Sequence, residues 1–312
     1  MLLSEAIEAL AIATRADGRS ARTVDSYRQK LAGLVAFLGD VSIEGVTTDN
    51  LRAWIASLMD RATLYSGTEK ERAGSLSPFT IAGHVRAMKR LFNWLESEGV
   101  IDVNPARRIR TPQPKRKEPK GILWPDFLSL LETCKGGNLI DLRDRALIMF
   151  LFDTACRIGG LCGLRVQDVD LERRCALVLE KGDKSRPVFF TDWTAQALTS
   201  WLEVRPSDRG PWLFVSLGKA DGLTARGVSH MLRRRAKRAG IKGPCNPHAF
   251  RHGFAKHYLT SGGNLGTLCD IMGHSDVSVT KAFYGVFSRD ELQREHDKYS
   301  PLAGLDGGEN GK

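Results

Sequence analysis

The sequence predicts a mainly α-helical protein built from two units, with one small β-hairpin in the second. Three observations predict it. Apolar residues recur at helical spacing through most of the chain. Strict strand-like character is confined to residues 175–190. A proline-rich, basic stretch without periodicity interrupts the pattern at residues 111–120. The length of 312 residues suits about two domains. A hydrophobic content of 42% is ample for packed cores.

Residues 1–110 read as helical throughout. Val24, Tyr27, Leu31, Leu34, Val35 and Leu38 form one apolar stripe over residues 23–38. Thr48-Asp49-Asn50 opens a second helix with Leu51, Trp54, Ile55 and Leu58 on its apolar face. Ser77-Pro78 starts a longer one, because proline is tolerated at the first helical position. Its apolar positions are Ile81, Val85, Met88, Leu91, Phe92 and Leu95, and a polar loop at 66–75 precedes it. Arg86, Lys89 and Arg90 interrupt that stripe. They form either a solvated face or one that meets a DNA backbone. Asn104-Pro105 stops the unit, and residues 111–121, with Lys115, Arg116 and Lys117, make a basic linker, either a merely soluble hinge or one suited to a clamp around a duplex.

The second unit spans residues 122–300, with helices expected at 124–134, 142–153, 192–204, 224–239, 248–261 and 288–298. Two short strands around Gly182-Asp183 place Lys181, Lys184 and Arg186 at or near a hairpin tip, able to enter a groove. The densest basic run holds Arg233, Arg234, Arg235, Lys237 and Arg238; five cations in so short a helix cannot all face one way, so some are expected to contact a DNA backbone and others to face solvent. Residues 301–312 form a Gly-rich tail expected to be disordered.

A net charge of +10 and a pI near 9.4 favour a polyanionic partner, and charge alone leaves DNA, RNA and an anionic membrane surface open. No apolar run approaches the roughly 20 residues needed to span a bilayer, and the N-terminus has no basic stretch ahead of an apolar one. A cytoplasmic location is expected. Cysteines 134, 156, 162, 175, 245 and 269 form no Cys-x-x-Cys pair, so reduced thiols are expected, with no metal and no cofactor.

Chemistry concentrates in an ordered set: Arg157, Lys181, His248, Arg251, His274 and Tyr284. Cations and imidazoles can hold a phosphodiester and move protons while a phenol attacks phosphorus. His248 and Arg251, three apart behind Asn246-Pro247, share a face at a helix N-terminus, where free amides and the dipole favour anions. His252 reads as a supporting residue. Gly273-His274-Ser275-Asp276 reads as a turn into the next helix, and the tyrosines (27, 65, 258, 284 and 299) leave few candidate nucleophiles.

These segments resemble those of the tyrosine recombinases, the phage integrase and Xer-like family, and the resemblance covers nearly the whole chain. Residues 154–165 (Thr-Ala-Cys-Arg-Ile-Gly-Gly-Leu-Cys-Gly-Leu-Arg) resemble the family's first-arginine segment, and Glu180-Lys181-Gly182-Asp183-Lys184 its hairpin lysine. His248-Ala249-Phe250-Arg251 and Met272-Gly273-His274 resemble the next two boxes, and Tyr284 falls where the nucleophile is expected.

The resemblance implies a helical, SAM-like core-binding domain, a mixed α/β catalytic domain and a C-shaped clamp on double-stranded DNA. It also implies cleavage through a 3′-phosphotyrosine link, resealed by a 5′ hydroxyl without metal or ATP. In that scheme Arg157 and Arg251 grip the phosphate, His248 assists proton movement, His274 hydrogen-bonds the phosphate and Lys181 protonates the leaving oxygen. A tetramer on two duplexes, coupled through the C-terminal helix and acting on short inverted-repeat sites, is the implied assembly. The start of the chain directly in the core-binding domain leans towards a simple Xer-like, transposon or plasmid enzyme.

Two departures stand out. The family often has an acidic residue three positions after the first arginine, where this chain has Gly160; Asp168 is a candidate substitute. Tyr284 lies ten residues after His274 rather than nine, where Phe283 stands, and Tyr299 is the fallback nucleophile. A type IB topoisomerase-like relaxing enzyme and a catalytically weak DNA-binding protein of the same fold are the alternative functions.

Overall fold

The structure, a computed structural model, describes residues 1–61, 63–64, 72–114, 120–180, 184–218 and 222–273. The chain divides into two compact units, Met1–Lys117 and Glu118–Lys312.

The first unit packs α1 (Leu3–Ala16), α2 (Ala21–Leu38), α3 (Thr48–Met59) and α4 (Pro78–Ser97) around one core. Each start has a local cause. Ser20 and Ser77 accept from the backbone amides of Thr23 and Thr80. Thr47 and Asn50 form a reciprocal capping box. Trp54, Leu31, Leu34, Met88 and Phe92 are fully buried, and the Trp54 indole donates to the Gly33 carbonyl at 3.1 Å. β1 (Thr63–Leu64) pairs antiparallel with β2 (Arg72–Ala73), so a strand occupies part of the segment expected as plain loop. The core does not end at Asn104-Pro105. Buried Asn104 donates to Asn93 and Glu96 and accepts from the Ala106 amide, and Ala106 and Ile109 pack into the core beyond it.

The second unit begins with α5 (Trp124–Glu132), α6 (Leu139–Thr154) and α7 (Ile158–Gly163). A three-stranded antiparallel sheet follows, β3 (Val169–Asp170), β4 (Cys175–Glu180) and β5 (Lys184–Phe189), in that order. Then come α8 (Asp192–Val204), α9 (Ala225–Arg238), α10 (Pro247–Thr260) and α11 (Leu265–Met272). α6 is the central helix: Ala146 to Phe152 are buried without a break, against the sheet, α8 and α10. α7, β3 and α11 depart from the sequence expectation, because two to eight residues are too few to show a period. The expected helix at 288–298 and the tail at 301–312 lie outside the described residues.

One charged network sits inside this core. The Asp144 carboxylate is fully buried and accepts from Arg143 at 2.6 Å and Arg235 at 2.7 Å; Arg235 also pairs with Asp141 and donates to the Thr133 carbonyl. The expectation that Arg235 contacts DNA is therefore corrected. On α9 the buried stripe runs Val228, Met231, Leu232, Arg235, Ala236, and the helical period carries Arg235 inward while Arg233, Arg234, Lys237 and Arg238 stay exposed.

The start of the second unit docks on α10, with the Ile122 amide donating to the Ala249 carbonyl at 2.9 Å. A Cβ at Gly121 would stand 2.5 Å from the Gly253 nitrogen, and one at Gly253 would stand 2.7 Å from the Ile122 oxygen. Only glycine on both sides permits this crossing, directly behind the helix turn that carries His248 and Arg251.

Candidate active site

α6 ends at Thr154, and Ala155 then takes a left-handed conformation with φ of +48°. That turn aims the Ala155 carbonyl at α10 and brings Arg157 to the N-cap of α7 in extended backbone. The Asn246 side chain caps α10 by accepting from the Ala249 amide at 3.1 Å, with Pro247 at the first position. His248 in the first turn is exposed, and Arg251 one turn on is only 6% exposed.

Three arginines from three different elements meet the last carbonyls of α11. Arg186 donates to Ile271 at 2.7 Å, Arg251 to Met272 at 2.5 Å and Arg157 to Gly273 at 3.2 Å. Arg251 makes a second bond, 2.5 Å, to the Ala155 carbonyl. These are the carbonyls a helix leaves without intrahelical partners, at the negative end of its dipole, so cations are favoured there. Gly273 has φ of +63°, and a Cβ on it would stand 2.6 Å from Arg186 Nε. The glycine ahead of His274 is thus favoured by its left-handed conformation, and a side chain there would displace Arg186.

Glu180, at the end of β4 and only 10% exposed, supplies the countercharge. Its Oε2 pairs with Arg157 and its Oε1 accepts from Arg186 Nε at 3.1 Å. Burial, and then the charge of Arg186, lower the Arg157 pKa, while burial lowers that of Arg186. Both remain cations, because arginine does not deprotonate in proteins. Burial first, then the neighbouring His248 and Arg251, lower the His252 pKa, which favours a neutral imidazole beside the His248 ring at 6.5 Å. Burial also raises the thiols around Arg157: Cys156 upward and Cys162 to about 11, so they stay protonated and unreactive. Among the described residues no group of three or more His, Cys, Asp or Glu could hold a metal ion, and no helix is long and apolar enough to cross a membrane.

The sequence-derived set is thus brought together where it is described. Arg157 and Arg251 converge, with the Arg157 side chain 40% exposed, and His248 lies one turn from Arg251. Lys181, His274, Tyr284 and the fallback Tyr299 lie outside the described residues, as do Lys115, Arg116, Lys117 and the side chain of Lys184. Arg86 and Arg90 are exposed, Arg90 lying 3.7 Å from Asp17.

Three further expectations are corrected. Arg186 is not a groove-facing residue of the hairpin tip: it shares the inward face of the sheet with Val188 and packs beneath α11. Lys89 is half-buried, its ammonium donating to the Ile109 carbonyl at 2.7 Å. Asp168 does not replace an acid at position 160, because its carboxylate accepts from the Arg165 amide in its own turn. Glu180 escaped the sequence reading, although a signal existed. Ala176, Val178 and Glu180 alternate along β4, so the carboxylate falls on the inward face.

Residues 125–288 match the phage integrase family, and residues 11–99 match the phage integrase N-terminal SAM-like domain. The chain belongs to the phage integrase family. Tyrosine recombinase XerC of Xylella fastidiosa (strain M23) is 31% identical over 287 residues, covering 92% of this chain and 93% of the relative. Tyrosine recombinase XerD of Mycobacterium leprae (strain TN) is 32% identical over 278 residues, covering 85% and 86%. Among solved structures, the Tn1549 transposon integrase in complex with transposon right end DNA aligns with a TM-score of 0.75 at 23% identity, over 96% of this chain and 99% of that one. The XerH site-specific recombinase bound to difH substrate aligns with a TM-score of 0.68 at 19% identity, over 95% and 85%. These structural likenesses show a shared fold. With the family and the Xer relatives, this integrase-family chain is a tyrosine-type site-specific recombinase, an enzyme that cuts and rejoins DNA strands.

Proposed function

We propose that Arg157 and Arg251 hold the scissile phosphate of a DNA strand while Tyr284 attacks phosphorus, giving a 3′-phosphotyrosine link and a free 5′ hydroxyl. The carrying observation is the convergence of the two guanidinium groups on the end of α11, immediately before His274. A phenol with a pKa near 10 is a weak nucleophile unless charge on the attacked phosphate is offset. Two planar forks held before substrate arrives supply that offset without reorganisation. His248, exposed one turn before Arg251, assists proton movement at the tyrosine; His274 binds the phosphate and Lys181 protonates the 5′ oxygen.

Residues 1–110 serve as the core-binding domain, 111–121 as the linker and 122–300 as the catalytic domain. Exposed Arg233, Arg234, Lys237 and Arg238, with Arg86 and Arg90, meet the DNA backbone. The working form is a cytoplasmic tetramer on two duplexes with short inverted sites, joined through residues 288–298.

The test is covalent capture on nicked fragments of source DNA, with Tyr284→Phe alongside. Adducts at one defined site that vanish in the variant support the reading, and adduct formation should persist in EDTA without ATP. Adducts that survive in the variant transfer the role to another residue such as Tyr299. Binding without any adduct from either protein overturns the reading.

A further inference from the structure

We propose that Glu180 is a positioning residue of the recombinase site, and that its carboxylate replaces, from a strand end, the acidic group that α7 lacks at Gly160. This inference rests on the reading that Arg157 grips the scissile phosphate.

Four observations carry it. First, Glu180 spends its two oxygens on two different arginines, Oε2 on Arg157 and Oε1 on Arg186, in a setting where only 10% of its side chain is exposed. A carboxylate shared in this way sets the separation of the two guanidinium groups as well as their charge balance.

Second, the space at Gly160 is tight for a side chain in this fold. A Cβ there would stand 3.2 Å from Val178 Cβ and 3.5 Å from the Leu179 carbonyl, tighter than ordinary contact at the first of these. α7 lies directly on β4 at the two residues before Glu180, so the missing side chain and the incoming carboxylate are adjacent parts of one interface.

Third, the register explains how the carboxylate arrives. Val178 pairs with Arg186 and Glu180 with Lys184, so Glu180 and Arg186 are diagonal neighbours on one face of the sheet. Fourth, both arginines continue to α11, at Ile271 and Gly273. Glu180 therefore links the β-hairpin to the segment that leads into His274.

Charge predicts a split outcome. Glu180→Gln keeps the shape, removes one negative charge from beside two guanidinium groups and leaves one acceptor where two are needed. Affinity for DNA should be retained or rise, because the site becomes more positive. Cleavage should slow, because Arg157 loses its fixed position. A residue with only a structural role would instead lower stability and affinity together.

The experiment uses the full chain and the fragment that the wild-type protein captures. Noncovalent affinity and the single-turnover rate of adduct formation at saturating protein are measured for wild type, Glu180→Gln and Glu180→Ala, with thermal melting of each. The free proteins are compared by the arginine Nε–H signals in ¹H–¹⁵N spectra, which require no DNA. The expected result is adduct formation slowed roughly 10- to 100-fold at saturation, the scale known for partners that orient metal ligands, with affinity and melting kept. The Arg186 Nε–H signal should lose protection in Glu180→Ala. A Glu180→Gln rate within about twofold of wild type, or a loss of rate matched by losses of affinity and melting, overturns the proposal. A wild-type protein that forms no adduct overturns the reading of the site and this inference with it. The arginine spectra tell these failures apart: a Glu180→Ala signal like the wild type's shows that Glu180 does not hold Arg186, whatever the DNA chemistry.

Discussion

Arg234 and Arg235 are neighbours of the same type with different physical roles. Arg235 neutralises Asp144 and Asp141 in a core from which water is excluded, so truncating it leaves carboxylates with too little countercharge. Arg235→Ala should cost about 3 kcal/mol, the lower end for breaking a buried pair, because Arg143 still contacts Asp144. Urea denaturation checks this, and an unchanged midpoint would show that the pair contributes nothing. Gly273 poses the opposite problem, since a methyl group there meets both an unfavourable φ and the Arg186 side chain. Gly273→Ala must strain the backbone by roughly 1 kcal/mol or more and push Arg186 aside. Its expected signature is slower adduct formation with little change in melting; full activity would show that α11 can end in another way.

α9 divides its cations by face, and each face makes its own prediction. Arg233, Arg234, Lys237 and Arg238 are exposed and lie over a stripe that is buried. If they meet phosphates, Arg234→Ala should weaken binding evenly across DNA sequences and reduce the slope of log affinity against log salt by about 1. Titrations across a salt series read this, and a slope equal to the wild type's removes Arg234 from the contact surface. The β4–β5 hairpin divides in the same manner. Leu177, Leu179 and Phe189 point outward, while Val178, Glu180, Val188 and Arg186 point inward. The parity of a strand thus turned one of the hairpin's cations into part of the site's frame.

For the whole molecule, pH dependence follows from a half-buried imidazole in each unit. Burial is the first cause lowering both His84, which bonds the Lys30 carbonyl, and His252. A histidine whose pKa is lowered by folding binds its proton more weakly in the native state. Its contribution is complete above the ordinary value of 6.5 and is lost as pH falls through the lowered folded values. Stability should therefore decline below that value, and His84→Gln should flatten the decline. Melting between pH 5 and 8 checks it, and an equal slope in the variant would assign the effect to other groups.

Much of this molecule is legible in its sequence. Periodicity, Ser and Asn caps and Pro78 mark the long helices because these signals act within a few residues, and α8 begins and ends where its pattern does. The order of Arg157, His248 and Arg251 likewise names the chemistry, since the residue types themselves carry it. Tertiary structure alone decided which charged groups meet. Arg235 turned inward to Asp144, Arg186 turned under α11 and met Glu180, and Asp168 stayed in its own turn. Such pairings join residues up to about ninety positions apart, and burial selects them by charge compensation across elements, which no local pattern encodes.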